Sequence, residues 1–169
     1  MPDQHGQPVN ARPSGLHAFA FQTGRWTVRH HKRRERLAGC DEWYSFDGTC
    51  EARELLGGAG NVDDHWIGDP VEPYGAASIR RLHSDGEWSI LWIDSRRADL
   101  DPPMRGAFDG SAGTFYGKDE LRSKPIDVRF IWSRTDQLHP RWEQAFSDDR
   151  GQSWETNWIM DFTRDDEVR

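Results

Sequence analysis

The sequence predicts an all-β fold: about ten antiparallel strands in an up-and-down barrel, with one short helix on the N-terminal side. Three observations carry this. Beyond Gly24 no segment keeps a helical period for long, whereas short runs alternating apolar and polar residues recur down the chain. Turn residues separate these runs at short intervals, so sequence neighbours should pair antiparallel. A meander of that many strands must curl, and closure removes the exposed edges it would otherwise leave.

Residues 1–14 read as a flexible tail, polar and with no apolar core of a secretory signal. Residues 15–169 read as a single barrel domain. Ser14 is placed to cap a short helix over Gly15–Gln22, with Leu16, Phe19 and Ala20 on one side and Gly24 ending it. Strands follow at Arg25–Arg36, Glu42–Glu54, Ala59–Ile67, Ala76–His83 and Glu87–Arg96. Five more span Met104–Phe108, Gly113–Lys118, Ile126–Arg134, Arg141–Asp148 and Ser153–Arg164. Gly57-Gly58 permits positive φ; Ser84-Asp85-Gly86 and Asp109-Gly110-Ser111 are tight hairpin signals. Asp149-Arg150-Gly151 fits a three-residue loop with glycine in the left-handed position. Asp101-Pro102-Pro103 interrupts pairing between the fifth and sixth strands.

Composition explains what must fill such a barrel. Of 169 residues 35% are hydrophobic and 30% charged, near the polar edge of what folds, yet nine are Trp, eight Phe and three Tyr. Disordered chains lack aromatics, so these rings must be buried in a core or a cavity wall. No apolar run approaches the ~20 residues of a membrane-spanning helix. A net charge of -7 disfavours nucleic-acid binding by bulk charge. The basic run Arg29–Arg36 reads as a solvated strand face, or else as a docking patch for an acidic partner. Cys40 and Cys50 form no CxxC pair and have no metal-ligand spacing, which suits a reduced, cytoplasmic compartment. A disulfide would require the first two strands to bring them together.

Alternation assigns faces. Val128, Phe130 and Trp132 share one face of their strand, Trp142, Gln144 and Phe146 one face of the next, and Trp154, Thr156, Trp158, Met160 and Phe162 one face of the last. A three-residue loop sets Trp142 beside Trp158, Gln144 beside Thr156 and Glu143 beside Asn157. Trp26, Val28 and His30 share a face, as do Trp88, Ile90, Trp92 and Asp94; Leu91 and Ile93 make the other face of that strand apolar too. The preferred assignment turns the Trp-rich face inward, giving a lumen of Trp26, Trp92, Trp132, Trp142 and Trp158 with His30, Asp94, Gln144 and Thr156 as polar points. The opposite assignment puts Arg129, Arg141, Glu143, Glu155 and Asn157 inside.

Four segments carry a family resemblance: Gly58–Asp64, Trp88–Arg96, Arg141–Ser147 and Trp154–Phe162. Together they resemble bacterial proteins of the uncharacterised DUF1579 type, over roughly Phe19 to Arg164. The resemblance implies a calycin-like barrel, similar in outline to lipocalins, fatty-acid-binding proteins and nitrobindins. It implies no catalytic residues.

The expected function is binding of a small, largely apolar or aromatic molecule in the Trp-lined lumen, since pockets are mostly apolar with a few convergent polar groups. Two alternatives stand beside it. One is a metal-independent enzyme (cyclase, isomerase or hydrolase) using Asp94, Glu143 or His30; an Asp buried beside Trp92 would have the raised pKa that acid–base work needs. The other is a homodimer that buries the second apolar face of the fifth strand. No cofactor and no metal is expected. His30 and His31 point to opposite faces, and Asp63-Asp64-His65 reads as a solvated turn or strand end. Haem would need one axial ligand, for which His30 or His139 would serve. No nucleophile elbow, phosphate loop or zinc motif is present.

Overall fold

The structure, a computed structural model, describes residues 15–167; the expected N-terminal tail and the Ser14 cap lie outside them. Ten strands form: β1 (Gly24–Arg33), β2 (Trp43–Leu55), β3 (Gly60–Ile67), β4 (Tyr74–Leu82) and β5 (Trp88–Asp94). Then come β6 (Met104–Asp109), β7 (Ala112–Leu121), β8 (Lys124–Ser133), β9 (Arg141–Ser147) and β10 (Glu155–Arg164). Each pairs antiparallel with its sequence neighbours, and β10 returns to pair with β1 from Trp26↔Arg164 to Lys32↔Trp158. The barrel is closed, so no strand edge is left unpaired by order.

The expected helix is absent. Gly15 and His17 take positive φ, which breaks a helical run, and only Ala20–Gln22 winds into one 3-10 turn. This segment plugs one end of the barrel. Phe19 packs edge-on against Trp88 and Phe108, each with ring centroids 5.0 Å away. Trp26 Nε1 donates to the Gln22 carbonyl at 2.7 Å, and Trp88 Nε1 to that of Gly15 at 3.2 Å. The plug closes this end of the barrel, and the opposite end stays open.

Two departures from regular pairing shape that open end. The β9–β10 connection runs from 148 to 154 rather than over three residues. Asp149 organises it, accepting from the Ser153 amide and hydroxyl and from the Ser147 hydroxyl. A bulge between Thr156 and Trp158 then shifts the register, so Trp158 lies beside Gln144 and Met160 beside Trp142. The expected Trp142–Trp158, Gln144–Thr156 and Glu143–Asn157 pairings are thus corrected. The second departure is the β5–β6 seam, which holds only Trp88↔Gly106, Ser89↔Arg105 and Ile90↔Met104. The proline pair at 102–103 keeps the chain from pairing with the rest of β5.

The basic run splits by parity. His30 and Lys32 point inward and are buried. On the outer face Arg29 pairs with Asp47 and Arg33 with Asp41, and beyond the end of β1 Arg34 pairs with Glu42. Both cysteines are free thiols. No helix among the described residues is long and apolar enough to cross a membrane.

Candidate functional site

The open end leads into a pocket of about 380 Å³. Its floor is aromatic and apolar, built from Ile90 and Trp92 of β5, Phe130 of β8, Trp142 of β9 and Trp158 of β10. Trp158 stands edge-on to both Trp92 and Trp142, with centroids 6.0 and 5.3 Å away, so the three indoles form one angled wall. Its rim is charged, with Lys32, Arg36, Asp94 and Arg96 among the residues lining it.

Each rim cation but one has an ion-pair partner, and the carboxylates of Glu72 and Asp119 also line the pocket. Lys32 Nζ lies 3.2 Å from Asp69 and 4.3 Å from the Trp158 ring centroid. Burial, with help from Arg36, lowers the Lys32 ammonium to about 8 against the pull of Asp69. Asp94 is held by Arg96 through two guanidinium contacts, at 3.2 and 3.0 Å, and by the Arg96 amide. Arg97 pairs with Asp101 and Lys118 with Asp127. Arg36 extends from the β1–β2 connection over Phe146, its guanidinium 5.7 Å from that ring. It has no ion pair among the described residues, and burial pulls its pKa below the usual arginine value.

The expected site residues distribute as follows. Trp92, Asp94, Trp142, Gln144 and Trp158 line the pocket. Trp26 and Trp132 point inward but belong to the packed half near the plug, where Trp132 meets Phe21 and Phe162. His30 is fully buried behind the wall: its Nδ1 accepts from Trp158 Nε1 at 3.1 Å and its ring stacks on Phe46 at 4.7 Å. Burial, reinforced by the charges of His65 and Lys32, lowers it to about 3 and keeps it neutral. Thr156 leaves the lumen because the bulge reverses parity; Asn157 takes the inward place and accepts from Gln144 Nε2 at 2.8 Å. Of the opposite face, Arg129, Arg141, Glu143 and Glu155 lie outside. Arg141 forks onto Asp161, Arg129 covers Trp154 and Glu155 accepts from the Leu37 amide.

The acid–base expectation meets a correction at Asp94. Burial would raise its pKa, but Arg96 overrides burial and holds the carboxyl below its ordinary value. No histidine among the described residues lines the pocket, and His139 is exposed in a groove at the plugged end.

Lys32, Arg36, Tyr74 and Phe146 complete the pocket wall. Lys32 was legible in principle, because it shares the parity of Trp26, Val28 and His30. Its place in a charged run hid it.

A second cluster contradicts the reading of Asp63-Asp64-His65 as solvated. These residues lie mid-strand, with Asn61, Asp63 and His65 inward and buried. Asp63 Oδ1 accepts from the Ser78 amide at 2.7 Å; Oδ2 accepts from Arg80 at 2.6 Å and from Gln22 at 2.9 Å. His65 Nε2 lies 3.3 Å from the same Oδ2. Burial alone would lower His65, but the Asp63 charge raises it to about 10; Arg80 first, then His65, hold Asp63 far below its usual range. Cys50, Asp63 and His65 place one donor atom each within 4.8 Å of one another. The set suits a metal poorly, because the oxygen that would ligate already accepts from two donors, one of them a guanidinium.

No protein-family model matches the chain, and no curated protein matches it. Among solved structures it is similar to that of Rv2717c from M. tuberculosis, at a TM-score of 0.57 and 10% identity, covering 89% of this chain and 96% of that one. At that identity the likeness concerns the fold alone, which in this chain is a closed ten-stranded barrel.

Proposed function

We propose that the protein binds one small aromatic molecule carrying an acidic group, with the rings against Trp92, Trp142 and Trp158 and the acid against Arg36. The observation that carries this is the Arg36 guanidinium, without an ion pair among the described residues, on the charged rim of a pocket of about 380 Å³ whose floor is aromatic. That volume lies in the lower part of the ~300–1,000 Å³ range of small-molecule sites. A carboxylate would give Arg36 a bidentate partner, the strong form of charge-assisted hydrogen bond. Gln144 offers one more polar contact on the wall. The resemblance to DUF1579 proteins supports a barrel of this kind and adds no ligand.

Titration of tryptophan fluorescence with 1-naphthoate and with the uncharged 1-naphthamide tests the reading. Naphthoate should bind more tightly, and Arg36→Gln should weaken naphthoate about tenfold while leaving naphthamide unchanged, ~1.4 kcal/mol. Equal affinities for both probes would remove the role given to Arg36.

One observation favours homodimerisation as a second reading. The outer face of β3–β5 exposes Trp66 (53%) and Ile79 (46%) beside Leu91 and Ile93. A light-scattering mass of one chain would count against it.

A further inference from the structure

Beneath the pocket lies a second cavity of about 20 Å³. Ile90, Trp92, Phe130 and Trp142 line both, so the floor of the upper space is the roof of the lower. The lower space has room for one water or one monatomic ion. The polar residues around it are His65, Ser78, Arg80 and Trp132. Three of these four carry a buried nitrogen with no partner in the protein: His65 Nδ1, Arg80 Nε and Trp132 Nε1. Buried donors are rarely left so, and three around one cavity need an occupant.

The chemistry of the wall decides which occupant. All three groups donate once His65 is an imidazolium, the form that its Asp63 contact favours. Acceptors are scarce. Both Asp63 oxygens are taken up by Ser78 N, Gln22 and Arg80, which leaves the Ser78 hydroxyl. A water accepts two hydrogen bonds and must then place two hydrogens of its own, for which this wall has little. An anion accepts from every donor and places none. Charge points the same way: Arg80 and His65 carry two positive charges against the single negative charge of Asp63, and burial keeps Cys50 a neutral thiol. One positive charge is left over inside the barrel.

We propose that the lower cavity is a binding site for a single monovalent anion of halide size, held by His65, Arg80 and Trp132. The ion would tie β3, β4 and β8 together directly under Trp92 and Trp142 and so fix the floor of the upper pocket. It does so whatever the upper pocket holds.

Crystals grown in bromide in place of chloride test this by anomalous diffraction at the bromine edge. The expected result is one anomalous peak between His65, Arg80 and Trp132. In solution, the melting temperature should rise saturably with bromide or chloride, compared with gluconate at equal ionic strength. Trp132→Phe keeps an aromatic six-membered ring and removes one donor, and should raise the halide concentration for half the effect about tenfold. A water or an empty cavity in the bromide crystal would overturn the proposal. So would anomalous peaks confined to the surface, or identical melting in bromide and gluconate.

Discussion

His30 and His65 face the same barrel interior and are driven in opposite directions. His30 packs against an indole N–H and aromatic rings with no carboxylate in contact, so burial, reinforced by the charges of His65 and Lys32, lowers it to about 3. His65 has Asp63 at 3.3 Å, which raises it to about 10. The stability consequences are opposite in sign. Between pH 6.5 and 3 the unfolded chain takes up a proton at residue 30 that the folded chain refuses, so stability falls as pH drops through that window. Between pH 6.5 and 10 the folded chain keeps a proton at residue 65 that the unfolded chain loses, so stability falls as pH rises. Lys32, lowered to about 8, opposes this only above pH 8. Chemical denaturation across pH should therefore peak near pH 6.5, and His65→Gln should flatten the limb from 6.5 to 8. An alkaline limb unchanged by that substitution would contradict the assignment. Which residues turn inward was readable from parity; how each would titrate was not. That depends on Arg80 and Asp63 meeting across β3 and β4, a contact that no local pattern announces.

At the scale of elements, all ten strands were legible from alternation and turn chemistry, with no end displaced by more than three residues. What alternation could not show is where it fails. The bulge at Asn157 interrupts period two without any Gly or Pro to mark it, and it moves Thr156 out of the lumen and Asn157 into it. The bulge is held by the Gln144–Asn157 hydrogen bond at 2.8 Å. Gln144→Leu would leave a buried acceptor unmade, and equilibrium unfolding should show a loss of about 1–3 kcal/mol. A neutral result would mean that Asn157 finds another donor. The helix over Gly15–Gln22 failed for the opposite reason: a good apolar stripe was overridden by positive φ at His17, whose amide donates to the Gly58 carbonyl at 3.0 Å. The short β5–β6 seam carries its own prediction. Amides of Leu91–Asp94 directed toward β6 lack ladder partners there, so hydrogen exchange should be faster for them than for those of Trp88–Ile90. Uniform protection along β5 would argue that the 95–103 connection closes the wall.

For the whole molecule, six of the nine tryptophans of a polar chain turn into the barrel and divide their labour by height. Trp26, Trp88 and Trp132 are packed near the Phe19 plug, where they close one end. Trp92, Trp142 and Trp158 stand above them and bound an open pocket. A small domain short of Leu and Ile uses flat rings for both tasks. The charged rim then separates this pocket from a plain apolar cleft, because Arg36 is the one rim cation that makes no ion pair among the described residues. Native mass spectrometry of the protein purified from its own host tests this most directly. The account predicts a population heavier than the 19.6 kDa chain by one small organic acid, replaced by 1-naphthoate on incubation. Bare chain alone, both from the host and after incubation with naphthoate, would contradict it.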